Sequence, residues 1–352
     1  MKTIMMREQR VHIEDAPRPE PGPGQVLVRS LACGICGSDL HIVRHAPEIF
    51  DFYREIGVLP ADADTDGLEI SLGHEFCAEV VTYGPETAQR IPPGGRVTAV
   101  PMLVTAQGMA GVGTTPGIFG AYSEYFLLDE ALLLPVPDEL PNEAAALVEP
   151  LAVGLHAVNT GAPETDEVAL VAGCGPIGLA CIVALVQRGV GTIVASDPSP
   201  AARDLAVVFG ATHTVDPTQQ DELQLAAELA GDKRVLIFEC VGIPRMIPDF
   251  VNRAPEGACI VFTGLHTAPV SVHPAHALVK QLNLKFSYYS TPEEYAECLA
   301  LLATGDVPWQ RMITGTVGMA GIPDAFAHLL APNQHVKVIL QPGADHPLRT
   351  YI

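Results

Sequence analysis

The chain has 352 residues, 48% hydrophobic and 17% charged, with 32 Gly and 31 Pro. That length exceeds what one hydrophobic core supports, which predicts two domains, and the abundance of apolar residues excludes a disordered chain. A formal net charge of −21 excludes a phosphate backbone as partner, since nucleic-acid binding needs a positive face; the acidity reads as well-solvated surface.

Residues 1–155 read as short strands between Pro and Gly, at 25–32, 75–83, 96–100 and 121–128. Two loops interrupt them. One covers 45–71, with Asp62, Asp64 and Asp66 and the aromatics Phe50, Phe52 and Tyr53; the other is the Gly/Thr-rich stretch 105–120. An apolar helical stretch follows at 143–158. After about residue 165 the rhythm changes to buried-strand runs at 167–172, 192–196, 235–239 and 259–263, alternating with helical stretches such as 176–188 and 200–209. That alternation predicts a parallel, doubly wound α/β sheet. An amphipathic helix at 292–304 and a strand at 336–340 close the chain. The most apolar run, 168–186, is broken by Gly173, Gly175, Pro176 and Gly178, so no membrane span is expected. The first eight residues lack the apolar stretch of a signal peptide, and a soluble, cytoplasmic protein is expected. Of the eight Cys, Cys181, Cys240 and Cys259 lie in apolar runs and read as small core residues rather than a disulfide framework.

Gly173-Cys174-Gly175-Pro176-Ile177-Gly178 fits G-x-G-x-x-G between a strand and a helix, the context a dinucleotide fingerprint requires. The glycines allow a tight turn, backbone approach to a pyrophosphate, and close helix–strand packing, while the helix N-terminus supplies donors. Asp197, nineteen residues past Gly178, ends the second strand, where a carboxylate accepts from the adenosine ribose hydroxyls and repels a 2′-phosphate. NAD is therefore expected over NADP. Arg203 would accommodate that phosphate or simply sit exposed on its helix.

Cys33-Gly34-Ile35-Cys36-Gly37-Ser38-Asp39-Leu40-His41 is dense in groups that bind metals or move protons. Cys33 and Cys36 alone admit a zinc knuckle or a redox pair, yet Cys77 is the only other Cys before residue 174, and no thioredoxin-like unit is present. Gly73-His74-Glu75 places an imidazole and a carboxylate before a strand, and Glu149-Pro150 puts a carboxylate into apolar helix, which is costly unless it is paired or metal-bound.

These segments, with Gly94-Gly95-Arg96-Val97, the run from Glu149 to His156, Glu239-Cys240-Val241-Gly242 and Lys337-Val338, resemble the zinc-containing medium-chain alcohol and polyol dehydrogenases over nearly the whole chain. The resemblance implies a GroES-like catalytic domain at 1–155 with a C-terminal return at 292–352, a Rossmann domain at 156–291, and an active site in the cleft between them. It implies Cys36 and His74 as zinc ligands, with Glu75 or Glu149 completing the set. It makes Ser38 and His41 a proton relay, Asp39 the carboxylate that orients His74, and Lys337 a cation near the cofactor pyrophosphate. Gly173, Gly175, Pro176, Ile177, Gly178, Asp197 and Arg203 form the NAD site. One catalytic zinc and no structural zinc are expected, because 102–121 contains no Cys where many relatives carry four. The substrate is then a secondary alcohol or polyol and the protein a homodimer or homotetramer. Two other readings are a zinc-free quinone or enoyl reductase, which lacks the Cys36/His74/Glu149 set, and a non-catalytic nucleotide-binding protein, which has no need of Ser38 and His41.

Overall fold

The computed structural model describes residues 1–351 apart from Asp66, Gln107 and Thr267; Asp66, part of the acidic stretch noted above, thus lies outside the described residues. Two compact units divide the chain: Met1–Glu149 with Leu299–Gly305 and Trp309–Ile352, and Pro150–Cys298 with Asp306–Pro308. The chain crosses into the second unit a few residues before the expected 155/156 boundary, and returns a few residues after the expected 292.

In chain order come β1 (Lys2–Arg7), β2 (Arg10–Asp15), β3 (Gln25–Gly34), α1 (Gly37–Arg44), α2 (Ala46–Glu55), β4 (Ile70–Ser71) and β5 (Glu75–Tyr83). Next are β6 (Arg96–Ala99), β7 (Met102–Thr105), β8 (Gly108–Gly111), β9 (Tyr125–Asp129), β10 (Leu133–Pro135), α3 (Asn142–Ala145) and α4 (Val148–Gly161). The second unit carries β11 (Val168–Ala172), α5 (Pro176–Gln187), β12 (Thr192–Ser196), α6 (Pro200–Phe209), β13 (His213–Val215), α7 (Glu222–Ala230) and β14 (Val235–Glu239). It continues with α8 (Met246–Arg253), β15 (Cys259–Phe262), α9 (Pro274–Val279) and β16 (Asn283–Phe286). Last come α10 (Pro292–Thr304), β17 (Ile313–Gly318), α11 (Ile322–Leu330), β18 (Lys337–Gln341) and β19 (Arg349–Thr350).

In the first unit, eight strands form a sheet ordered β10-β6-β5-β3-β18-β17-β19, with β9 also on β3. Its register builds the site. β3 pairs antiparallel with β5 so that Gly34 faces Glu75, and with β18 so that Gly34 faces Ile339. The end of β3, the start of β5 and the start of β18 therefore meet. A side chain at Gly34 would place its Cβ 1.9 Å from Glu75 Oε2, so only glycine admits that carboxylate. Phe76 and Phe126 pack edge to face at 5.0 Å in the core behind.

In the second unit, six strands run parallel in the order β13-β12-β11-β14-β15-β16. All five residues of β11 and of β14 are buried, as expected for strands covered on both faces.

Four expectations need correction. Residues 108–111 of the presumed loop at 105–120 form β8. Residues 46–55 of the presumed long loop form α2, whose Ala46, Ile49 and Phe50 are buried at helical spacing. Only Tyr125–Asp129 of 121–128 and its flank is strand, and the helical stretch at 143–158 is divided between α3 and α4.

Candidate metal centre and dinucleotide site

Cys36 caps the N-terminus of α1. Its backbone N–H donates to Asp39 Oδ2 at 3.0 Å, and the Ser38 N–H donates to Cys36 Sγ at 3.5 Å, a reciprocal cap that fixes sulfur and carboxylate together. His74, just before β5, is buried with Nδ1 3.5 Å from Asp39 Oδ1. That leaves Nε2 on the other side of the ring, 3.3 Å from Ser38 Oγ. One ligand atom from each of Cys36, His74 and Glu75 lies within 4.8 Å of the others. Glu75 is fully buried; its Oε1 accepts a 2.6 Å hydrogen bond from Lys337 Nζ, while Oε2 has no hydrogen-bond partner among the described residues. A thiol sulfur, an imidazole nitrogen and a buried carboxylate oxygen, converging in this way, suit zinc in donor type and number. These residues fit the metal.

The electrostatics are strongly coupled. Burial depresses the His74 imidazole, but Asp39 and the Cys36 sulfur outweigh it and hold the ring well above its usual range. Burial pushes the Glu149 carboxyl up to about 7, against the pull of His74. Glu149 belongs to the same unit but not to the close trio. Cys33 is fully buried on β3, and burial raises its thiol, so it packs in the core rather than pairing with Cys36.

Lys337 is placed differently from expectation. Its side chain is 1% exposed, and its ammonium donates to Glu75 Oε1 at 2.6 Å and to the Ile35 carbonyl at 3.3 Å. Burial works against its charge, but Glu75 wins and raises its affinity for the proton. Tyr122 is a participant that pattern reading misses: its hydroxyl donates to Asp39 Oδ2 at 2.7 Å from a fully buried ring. A tyrosine in an apolar run carries no local sign of such a partner.

Ser38 and His41 are three residues apart on α1 and so share a face. His41 lines a cavity of about 150 Å³ with Gly37, Leu40, Arg44, Leu329 and Leu330. Burial, then His45 and Arg44, hold its imidazole below the usual range, so the ring is a proton acceptor at neutral pH.

In the second unit, Gly173 adopts φ +91° and donates its N–H to Ser196 O at 2.8 Å. A Cβ on Gly178 would come 1.8 Å from Gly173 O, whereas one on Gly175 would meet nothing within 4 Å. Gly175 thus leaves open space at the start of α5, whose first turn begins with Pro176 and the half-buried Ile177. Asp197 accepts from Cys174 N at 3.0 Å and Ser199 N at 2.8 Å, which fixes its carboxylate beside the fingerprint. Arg203 is tied down: it donates to Asp197 O at 2.5 Å and lies 3.6 Å from Asp216.

Residues 22–138 match the family model described as the alcohol dehydrogenase GroES-like domain, and residues 176–304 the one described as zinc-binding dehydrogenase. The (R,R)-butanediol dehydrogenase of Bacillus subtilis (strain 168) is 30% identical, over 97% of this chain and 100% of that protein. The sorbitol dehydrogenase of the same bacterium is 26% identical over 97% of this chain and 98% of that protein. A crystal structure of the 2R,3R-butanediol dehydrogenase from Bacillus subtilis matches with a TM-score of 0.82 at 29% identity, over 97% of this chain and 99% of that one. Fold and site together define an oxidoreductase with a GroES-like unit and a dinucleotide-binding unit. The chain belongs to the zinc-dependent medium-chain alcohol and polyol dehydrogenases. Neither a zinc-free reductase nor a non-catalytic nucleotide binder is favoured.

Proposed function

We propose that the enzyme oxidises a secondary alcohol or polyol to a carbonyl compound, with zinc held by Cys36, His74 and Glu75 and NAD held at the Gly173–Gly178 turn and Asp197. The observation that carries this reading is the convergence of one ligand atom each from Cys36, His74 and Glu75 within 4.8 Å, with the Ser38 hydroxyl 3.3 Å from His74 Nε2. The butanediol and sorbitol dehydrogenases it is similar to point to a hydroxylated carbon chain as substrate. When bound, zinc supplies a Lewis acid for the substrate oxygen and NAD supplies the hydride acceptor.

The chain's own residues do the rest. One thiolate and one carboxylate oppose the charge of a divalent cation, the Lys337 ammonium on Glu75 adds one positive charge back, and Glu149 lies in the same charge field as a second carboxylate. Asp39 Oδ1 lies 3.5 Å from His74 Nδ1 as a charge contact rather than a hydrogen bond, and would close on the ring to orient it when Nε2 binds the metal. Ser38 Oγ takes the proton of the substrate hydroxyl, and His41 carries it onward toward water. Asp197 accepts from the adenosine ribose and rejects a 2′-phosphate, while Arg203 is engaged with Asp197 O and Asp216 rather than free to offset it. A cytoplasmic setting belongs to the same reading, supported by eight cysteines that are all free; among the described residues no helix is long and apolar enough to cross a membrane.

Elemental analysis of the purified protein checks the ligand set. About one zinc per chain is expected from one closed set of ligands, and Cys36→Ser and His74→Ala should each lose it while keeping a folded far-ultraviolet spectrum. Two tightly held zincs per chain, or full zinc content in both variants, would contradict it.

A further inference from the structure

Tyr122 is fully buried, and the proposed reaction gives its hydroxyl no task. Two acceptors lie within its reach, Asp39 Oδ2 at 2.7 Å and the Gly34 carbonyl at 3.1 Å. A phenol has one proton to give, and the shorter contact to a charged oxygen takes it. Asp39 is buried as well, and its Oδ2 also accepts the Cys36 N–H at 3.0 Å. Its Oδ1 lies 3.5 Å from His74 Nδ1, and neither of these two atoms has a hydrogen-bond partner among the described residues. The carboxylate is thus held by one oxygen and aimed with the other.

The aim needs both donors. An aspartate carboxyl turns easily about its last bond, because that torsion has only broad, two-fold wells. The Cys36 N–H alone would leave Oδ1 free to swing away from the imidazole; a second donor on Oδ2, from a separate part of the chain, fixes the plane. The tyrosine is itself anchored to the backbone that carries His74. Ala121 N donates to Gly73 O at 2.9 Å, and Tyr122 N to Leu72 O at 3.1 Å. Gly73 takes φ +98°, and a Cβ there would come 2.5 Å from Tyr122 Cδ1, so only glycine lets the ring lie against the residue before His74. Phe326 meets the same ring edge to face at 6.1 Å. Tyr122 therefore joins the backbone beside His74 to the carboxylate that faces the His74 ring.

We propose that Tyr122 is a positioning residue of the metal centre: its O–H keeps Asp39 Oδ1 turned toward His74 Nδ1, and so sets how firmly the imidazole holds zinc. When Nε2 binds a metal, Nδ1 carries the ring proton, and a carboxylate already turned toward it accepts that proton's hydrogen bond without first being ordered. The inference rests on the reading of Cys36, His74 and Glu75 as the ligands.

The test measures zinc dissociation constants of the full chain against a competing chelator, for the wild type, Tyr122→Phe, Asp39→Asn and the double variant. Tyr122→Phe removes one oxygen and keeps the ring, with its packing on Phe326 and Gly73. Loss of a group that orients a ligand changes metal affinity about 10–100-fold, and Tyr122 acts one contact further out, so zinc affinity should fall about tenfold. Asp39→Asn should cost at least as much. Adding Tyr122→Phe to it should cost nothing more, since the hydroxyl acts only through the carboxylate. With cobalt in place of zinc, the visible ligand-field bands should move in Tyr122→Phe, which a loss of packing alone would not cause. Wild-type zinc affinity and cobalt bands in Tyr122→Phe, or losses that multiply in the double variant, overturn the proposal. A wild type that holds no zinc, or a Cys36→Ser that holds it as tightly as the wild type, overturns the ligand set beneath it as well.

Discussion

Ser38 Oγ lies 3.3 Å from His74 Nε2 and three residues before His41 on the same helical face, which is why the proposed reaction assigns Ser38 the proton of the substrate hydroxyl. Ser38→Ala removes that hydroxyl and leaves Cys36, His74 and Glu75 untouched. Turnover should fall ~10²–10⁴-fold with zinc content and NAD binding retained, as for other losses of acid–base assistance, and His41→Gln should cost less because water reaches the outer end of the relay. Steady-state kinetics with a deuterated alcohol make the check; near-normal turnover with chemistry still rate-limiting would refute the relay. Lys337 gives a second residue-level test. In the zinc-free protein Lys337→Met leaves Glu75 buried without its counter-charge, which should destabilise the fold by about 3–5 kcal/mol in calorimetry, while NAD affinity holds. The reverse outcome, a stable fold and weakened NAD binding, would return Lys337 to the pyrophosphate. Cys36 and His74 stand out in the sequence only through the resemblance that their short motifs carry together, which leaves Glu75 and Glu149 as alternatives. What no spacing encodes is the register of β3 against β5 and β18 that sets Lys337 on Glu75 and frees Oε2. Tyr122 escapes a sequence reading for the same reason: its partners are distant in the chain.

The turn between β11 and α5 separates two roles that glycine plays. A Cβ at position 178 would press to 1.8 Å from Gly173 O, while one at 175 finds nothing in the protein within 4 Å. Gly178→Ala should therefore lower both thermal stability and NAD affinity. Gly175→Ala should leave the melting temperature alone yet weaken NAD by about tenfold or more, some 1.4 kcal/mol, because the new methyl occupies the space of the pyrophosphate. Paired melting curves and titrations decide this, and equal NAD binding by Gly175→Ala and wild type would count against a phosphate there. The second unit was the more legible of the two: β11, β12, β14 and α6 declare themselves in local pattern, since a parallel strand is a short, wholly apolar run. In the first unit α2 is hidden by Pro47, which reads as a breaker although Pro is well placed in a helix's first turn. β1, Lys-Thr-Ile-Met-Met-Arg, escapes notice because its burial does not alternate strictly.

At the scale of the molecule, the chain assigns its tasks by unit. The first carries the proposed metal ligands and Ser38, built from strands far apart in sequence; the second carries the Gly173–Gly178 turn and Asp197. Reading 352 residues as two domains needs only length and rhythm, whereas the substrate's identity resides in side chains that local pattern leaves unordered. The central claim, a zinc-dependent dehydrogenase that hands hydride to NAD, is tested most directly by following the near-ultraviolet absorbance of NADH with butanediol, sorbitol and simple secondary alcohols. The account predicts that absorbance rises with at least one of them, faster with NAD than with NADP, stops when a chelator strips the metal, and resumes when zinc is restored. A rate that survives verified removal of zinc, or zinc-loaded protein that reduces no NAD with any of these alcohols, would contradict it.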